Sequence, residues 1–466
     1  MSKDRPHVTM VTSNGWGLGH LSRAIAIALA MDDRAEVTMF SFSRGLPLAS
    51  QFGIKGEFCP GPSSAWVPGE RWNLYVERRF GLFMSEVEPD VVLFDGVAPY
   101  FGIINALRDR PAVSAGWIRR GMWLPQRTKE QLAKAVAFDF VVEPGDLAAA
   151  ADRGPTPKLE AIRVASVSLL DVVPMLDRED AAAELGVDPA RPTLLCSVGS
   201  GQPGDMDQIR ELILERAGKH EEWQVGLVNS PLSTEDATHT SGAIQLRGVY
   251  PLVRYLNAFD AAVSAAGYNS VHELIPAGVP TLLVPKSASK TDDQLSRASF
   301  LANGGKALMA RDDDPDEVSR QVDVLLGEGR SRLQASLMAA DRAAMTGGAG
   351  QIAEIVTGSP PTGIRDTERK EVVPQPGIKG FLRRVIGPEG VRRVQRVLGR
   401  EPEKPPRTAV SLNRDSPDLP WLVVTSDPET VPRSAEHPVE HVLPDATAGY
   451  EDRRRALLED FYEIVR

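Results

Sequence analysis

Two doubly wound α/β units in tandem are the fold class this sequence predicts, and three observations carry it. Apolar segments of strand length alternate with helix-length segments, once over residues 7–165 and again up to about residue 357. Each set holds a glycine-rich turn directly after an apolar strand: Asn14-Gly15-Trp16-Gly17-Leu18-Gly19-His20 in the first and Ser197-Val198-Gly199-Ser200-Gly201 in the second. The 466 residues also exceed one ordinary domain, given roughly 150 residues per unit. Such alternation predicts parallel sheets with right-handed crossovers, which take ligands at the carboxyl ends of their strands.

In the first unit, residues 1–170, strands are expected at His7–Thr12, Glu36–Ser41, Val91–Phe94, Ala112–Ala115 and Phe140–Val142, with a helix over Leu21–Ala30. A linker around Leu170–Arg191 leads into the second unit, residues 171–357, with strands at Thr193–Ser197, Gln224–Leu227, Ile244–Leu246, Ala261–Ala265 and Thr281–Val284. Residues 358–466 are different: SPPTG, PQPG and REPEKPPR mark a Pro-rich, polar extension. Inside it, Phe381, Leu382, Val385, Ile386, Val391, Val394, Val397 and Leu398 recur at helical spacing among Lys379, Arg383, Arg384, Arg392, Arg393, Arg396 and Arg400. A basic amphipathic helical segment over 379–400, broken at Gly387-Pro388, follows; it either lies on an anionic membrane surface or docks on the α/β units. Tyr450–Val465 reads as a further helix and Trp421–Thr425 as a short strand.

Composition narrows the function classes. A hydrophobic share of 42% and a charged share of 25% are those of a folded globular chain. The formal net charge of −10 disfavours a nucleic-acid partner. Cys59 and Cys196 are the only cysteines and form no metal-type spacing, so neither structural zinc nor a disulfide framework is expected. The amino terminus lacks the apolar core of a signal peptide, and no run of about 18 apolar residues occurs, so a cytoplasmic protein is expected.

The most informative stretch is Val263–Gln294. A short strand ends at Ala266-Gly267, a helix opens at Tyr268, Asn269 and Ser270, and Glu273 lies one turn further in. The first turn of a helix offers unpaired N–H groups and partial positive charge, and Gly267 lets the backbone approach an anion. A carboxylate at Glu273 is suited to two vicinal hydroxyls. Pro276, Gly278 and Pro280 stop the helix, the strand Thr281–Val284 follows, and Asp293 and Gln294 sit in the polar loop beyond.

Gly267, Ser270 and Glu273, then AGVPTLLVP, then Asp293-Gln294, resemble the donor-binding domain of GT-B glycosyltransferases. The resemblance is to the group that includes UDP-glycosyltransferases and the peptidoglycan N-acetylglucosaminyltransferase of family 28. It covers residues 7 to about 356 and implies two Rossmann-like domains facing across a cleft, the first on the acceptor side. It further implies a UDP-sugar co-substrate, no metal cofactor, and an acceptor that is a glycan, a lipid-linked saccharide or a small molecule. The helix start with Asn269 would bind the diphosphate, Glu273 the ribose, and Asp293 and Gln294 the sugar. Gly17, Gly19 and His20 match the amino-terminal loop, and Leu21-Ser22-Arg23 follows as in relatives with GHLxR. Ser200 and Gly201 approach the diphosphate, and Val249 is a base contact. Where relatives carry Asn-Ala after the Gln, this chain has Arg297-Ala298.

His20 is the candidate general base, since a neutral imidazole accepts a proton near neutrality. Asp95, ending a buried strand, either holds the other ring nitrogen or caps the following helix. The strand after the first glycine turn ends without an acidic residue, which argues against a dinucleotide cofactor. The strings Asp205-Met206-Asp207 and Asp312-Asp313-Asp314 read as polar surface turns. Trp66, Trp72, Trp117 and Trp123 either stack on an acceptor or fill the core. Alternative readings are a hydrolase or epimerase acting on a nucleotide sugar in the same fold, or a non-catalytic nucleotide-sugar-binding protein.

Overall fold

The computed structural model describes residues 5–360 apart from 14–17, 62–68, 126–130, 200–205, 230, 232–241, 288, 290 and 359, together with 409–411 and 423–425. Gly17, Ser200, Gly201, Trp66, the 379–400 segment and Tyr450–Val465 lie outside these described residues.

Two parallel sheets form, and both are doubly wound. The first contains β1 (His7–Thr12), β2 (Glu36–Ser41), β3 (Lys55–Phe58), β4 (Val91–Asp95), β5 (Ser114–Ile118), β6 (Phe140–Pro144) and β7 (Ile162–Val164), in the order β3-β2-β1-β4-β5-β6-β7. The second contains β8 (Thr193–Ser197), β9 (Gln224–Val228), β10 (Ala243–Leu246), β11 (Ala261–Ser264), β12 (Thr281–Leu283) and β13 (Leu308–Met309), in the order β10-β9-β8-β11-β12-β13. Strand order reverses between β1 and β4 in one and between β8 and β11 in the other, which opens a crevice at each switch point. The central strand β1 is buried at every residue, as a parallel strand covered on both faces must be.

β5 begins two residues later than Ala112, at Ser114, and runs through Gly116. That glycine has a packing cause, because a Cβ there would lie 2.5 Å from the ring of Phe140 on β6. The helix Tyr268–Ala277 continues through Pro276 and ends at Gly278, whose φ of 81° is the left-handed cap that glycine adopts without strain. Beyond the α/β units, Ala409–Ser411 and Val423–Thr425 pair antiparallel as β14 and β15.

The helix Gly19–Met31 joins the two halves. Its Leu21, Ile25 and Ile27 are buried in an apolar cluster that also contains Leu256 and Leu274 of the second unit and Ile352 and Val356 of the helix Gly348–Thr357. That last helix therefore crosses back onto the first sheet's leading helix. A second cluster fills the opposite face of the first sheet, and it takes in Trp72, Trp117 and Trp123, none more than 2% exposed. These three tryptophans are core residues and present no stacking surface to an acceptor.

Candidate active site

The carboxyl ends of β1 and β4 bring His20 and Asp95 together. His20 stands on the first turn of the helix that follows the glycine loop, and its Nδ1 lies 2.6 Å from Asp95 Oδ1. Asp95 is fully buried at the end of β4 and also accepts two hydrogen bonds from Arg23, at 2.7 Å from Nε and 2.5 Å from Nη2. Arg23 is 2% exposed, three residues along the same helix as His20. Charge assignment follows from physical competition. Burial opposes ionisation of Asp95, but Arg23 foremost, with His20, outweighs it and holds the carboxyl below its usual value. Burial pushes His20 below its ordinary 6.5 despite the pull of Asp95. The stable arrangement is an Asp95–Arg23 ion pair with a neutral His20 that donates Nδ1–H to the carboxylate. The unprotonated Nε2 then has no hydrogen-bond partner among the described residues.

In the second unit, β11 leads through Ala266 and Gly267 into the helix Tyr268–Ala277. Among the described residues no side chain caps this helix start, so its first-turn N–H groups are without a side-chain cap there. Gly267 has an ordinary extended φ of −68°, and a Cβ built on it meets nothing within 4 Å among the described residues. The helix start faces the first unit across a short gap: Asn269 Nδ2 donates to Gly19 O at 3.2 Å, one residue from His20. Glu273 is half-buried with no cation among the described residues to offset its burial, which raises its carboxyl to about 8. Val249 is half-buried against the inter-unit apolar cluster, after Gly248 with φ 66°.

Asp293 and Gln294, expected in a polar loop, stand instead at the start of a helix. Asp293 caps the helix Gln294–Asn303 by accepting from Ser296 N and Oγ at 3.1 and 2.8 Å, and Gln294 Oε1 accepts from Lys286 N at 3.0 Å. The neighbouring backbone is stitched to the first unit: Leu124 N donates to Thr291 O and Asp293 N to Met122 O, both at 2.8 Å. Arg297 is fully buried and donates to Asp146 of the first unit, to Asp292 and to Ala266 O, each at 2.9 Å. Arg120 reaches Asp292 from the first unit at 3.0 Å. Burial works against the Asp292 charge, but Arg120 and Arg297 draw its carboxyl down to about 2.

Sequence reasoning named Arg23 within the GHLxR match but not its pairing with Asp95, and it missed Arg120, Asp146, Asp292 and the inter-unit role of Arg297, for which the signal was the Arg at 297 in place of Asn. Of the two Asp strings, Asp312 accepts from Ser287, Asp313 pairs with Arg311 and Asp314 caps the helix Pro315–Leu326.

Two doubly wound sheets, each with an open crevice and joined through a shared helix, are the GT-B architecture. Residues 242–355 match the glycosyltransferase family 28 C-terminal domain. A UDP-N-acetylglucosamine–N-acetylmuramyl-(pentapeptide) pyrophosphoryl-undecaprenol N-acetylglucosamine transferase of Methylococcus capsulatus is 36% identical over 97 residues, 21% of this chain and 27% of the relative. In that match the chain spans about a quarter of the relative's length. The protein of the same name from Mycobacterium tuberculosis is 28% identical over 388 residues, 74% of this chain and 88% of the relative. The crystal structure of Acinetobacter baumannii MurG superposes with a TM-score of 0.50 at 16% identity, covering 75% of this chain and 99% of that one. The chain has the fold of GT-B glycosyltransferases. Within that class it is similar to the peptidoglycan N-acetylglucosaminyltransferase group. Among the described residues, no helix is long and apolar enough to cross a membrane.

Proposed function

We propose that the protein transfers a hexose or N-acetylhexosamine from a UDP-sugar to an acceptor hydroxyl, with inversion and without a metal, in the synthesis of a cell-wall glycolipid. The observation that carries this reading is the opposition of the uncapped helix start at Tyr268 to the loop that bears His20, bridged by the Asn269–Gly19 hydrogen bond. That opposition puts an anion-favouring dipole and a neutral base on the two sides of one crevice.

In this mechanism Nε2 of His20 takes the proton of the acceptor hydroxyl as its oxygen bonds to the anomeric carbon. The bond from that carbon to the phosphate oxygen breaks, and its electron pair leaves with UDP. N–H groups of the first helical turn, with Ser270, meet the developing charge on the phosphate, and preorganised dipoles are suited to that task without an ion. One displacement from the opposite face inverts the anomeric centre. Glu273, ionised, accepts from the ribose hydroxyls, and Val249 lies beside the base. Gly17, Ser200 and Gly201 are assigned to the phosphate-facing loops on the family resemblance, and Asp293 and Gln294 shape the sugar pocket.

The names of the relatives favour an undecaprenyl-linked acceptor, which would be met at the inner face of the cell membrane. The basic 379–400 segment is the part of the chain suited to an anionic bilayer. Incubation with a panel of UDP-sugars, with and without lipid-linked saccharides, tests the reading. UDP release that requires an acceptor is expected. Equally fast release without one would assign the site to hydrolysis instead.

A further inference from the structure

Lobe two grips a single tripeptide of lobe one. Directly after β6, Gly145, Asp146 and Leu147 present a carbonyl, a carboxylate and an amide, and all three are met by side chains of the second unit. Two of those side chains belong to the helix that opens the donor site. Tyr268 Oη donates to Gly145 O at 2.9 Å and accepts from Val167 N at 3.0 Å. One turn on, at the i,i+4 position on the same helix face, His272 Nδ1 donates to Tyr268 O at 2.6 Å, since a carbonyl can only accept. Its Nε2 therefore holds a lone pair, which accepts from Leu147 N at 3.0 Å.

The Tyr268 ring completes the link to the base. It stacks on His272 at 4.0 Å between centroids, and the Arg23 guanidinium lies 5.2 Å from its centroid. Arg23 is the cation that fixes Asp95, and Asp95 fixes His20. A continuous run of contacts thus connects the start of the phosphate-binding helix with the base in the other lobe. Buried backbone groups demand partners, so the hydroxyl at 268 is the group that makes one seating of the helix better than its neighbours.

We propose that Tyr268 is a positioning residue: its hydroxyl pins the donor helix start to the Gly145 and Val167 backbone, and its ring steadies the Arg23–Asp95 pair that orients His20. The Tyr268 side chain is buried against Gly145, Val167, His272 and Arg23, so it acts on the alignment of the lobes and leaves donor affinity to the helix backbone. This rests on the transferase reading for its kinetic consequence, and on geometry alone for the pin.

The test compares the full-length protein with Tyr268→Phe, which keeps the ring and removes the pin, and Tyr268→Leu, which removes both. UDP affinity is measured by calorimetry, turnover of the active UDP-sugar by UDP release, and exchange of the Val167 amide by mass spectrometry. Tyr268→Phe is expected to speed Val167 exchange and cut kcat at least tenfold, with the UDP Kd within twofold of the parent; Tyr268→Leu is expected to cut kcat further. Unchanged Val167 exchange would overturn the pin. Unchanged kcat in Tyr268→Phe, or UDP affinity falling by the same factor as kcat, would overturn the positioning role. If the parent binds UDP but turns over no UDP-sugar, the transferase reading fails while Val167 exchange still decides the pin.

Discussion

Nδ1 of His20 and Oδ1 of Asp95 meet at 2.6 Å although the two residues lie 75 positions apart, on the helix after β1 and the end of β4. Their meeting is a consequence of strand order, because β1 and β4 are neighbours at the switch point of the first sheet. Burial foremost, with the nearby Arg23 charge, outweighs the pull of Asp95 and keeps the imidazole uncharged down to a pH below its ordinary 6.5. kcat/KM is therefore expected to hold level as pH falls to 6.5 and to drop only below it, as Nε2 gains a proton. His20→Ala should lower kcat by about 10²–10⁴-fold, the usual worth of a general base, with UDP affinity retained. A plateau that fails well above 6.5, or a His20→Ala enzyme of full activity, would remove His20 from the chemistry.

Replacing Asp95 separates orientation from folding. Asp95→Asn leaves the Arg23 cation buried beside a neutral amide, a loss of about 3–5 kcal/mol when one partner of a buried pair is removed. Thermal unfolding should register that loss, and residual folded enzyme should show a kcat reduced towards that of His20→Ala. Wild-type stability in Asp95→Asn would show that the carboxylate is not the group that balances Arg23.

Glu273 gives a second pH signature of opposite sense. Its carboxyl, raised to about 8 by burial, is protonated in the empty site at neutral pH. Ribose hydroxyls favour the ionised acceptor, so UDP affinity should rise between pH 6.5 and 8.5 as the proton leaves. For folding the sign is reversed: a raised folded-state pKa contributes stability that is complete below the ordinary 4.5 and is lost as pH rises through about 8. Titrating UDP into the parent and Glu273→Gln across this range checks the first, with the Gln variant expected to be weaker and flatter, and thermal unfolding of the two over pH 4.5–8 checks the second; identical UDP pH profiles would exclude Glu273 from the site.

Gly267→Ala distinguishes a ligand surface from a structural turn. The φ of −68° suits alanine and the added Cβ has no neighbour within 4 Å among the described residues, so the melting temperature should stay level or rise, as for other compatible Gly-to-Ala changes worth about 0.4–1 kcal/mol. A phosphate approaching the helix start would meet that methyl group, and UDP should bind at least tenfold more weakly. Unaltered UDP binding would place the phosphate elsewhere.

Arg297→Asn removes the buried cation from Asp146 and leaves Asp292 with Arg120 alone. Destabilisation of about 3–5 kcal/mol is expected by denaturant unfolding. A neutral result would mean that Arg297 is dispensable to the joining of the lobes.

Much of the architecture was legible because central parallel strands read as short continuous apolar runs, and the glycine turns mark the ends of β1 and β8 directly. β3 (KGEF), β7 (IRV) and the two-residue β13 were not legible, since short strands near a sheet edge carry mixed, half-exposed residues. The candidate site divides the same way. His20 and the Gly267–Glu273 run are contiguous in sequence and could be read there. Arg23 on Asp95, Arg297 on Asp146 and Tyr268 on Gly145 join residues 72, 151 and 123 positions apart, so only the folded chain discloses them. Trp72, Trp117 and Trp123 show the converse: aromatic residues suited to a sugar are equally suited to a core, and burial decided it.

Calorimetric titration of UDP into the full-length protein tests the central claim most directly. One site per chain is expected, with heat displaced by a productive UDP-sugar and at least tenfold weakened in Glu273→Ala. Absence of heat with UDP and with a broad panel of nucleotide sugars, from protein shown to be folded, would contradict the assignment of the Gly267–Glu273 helix start as the grip on the donor.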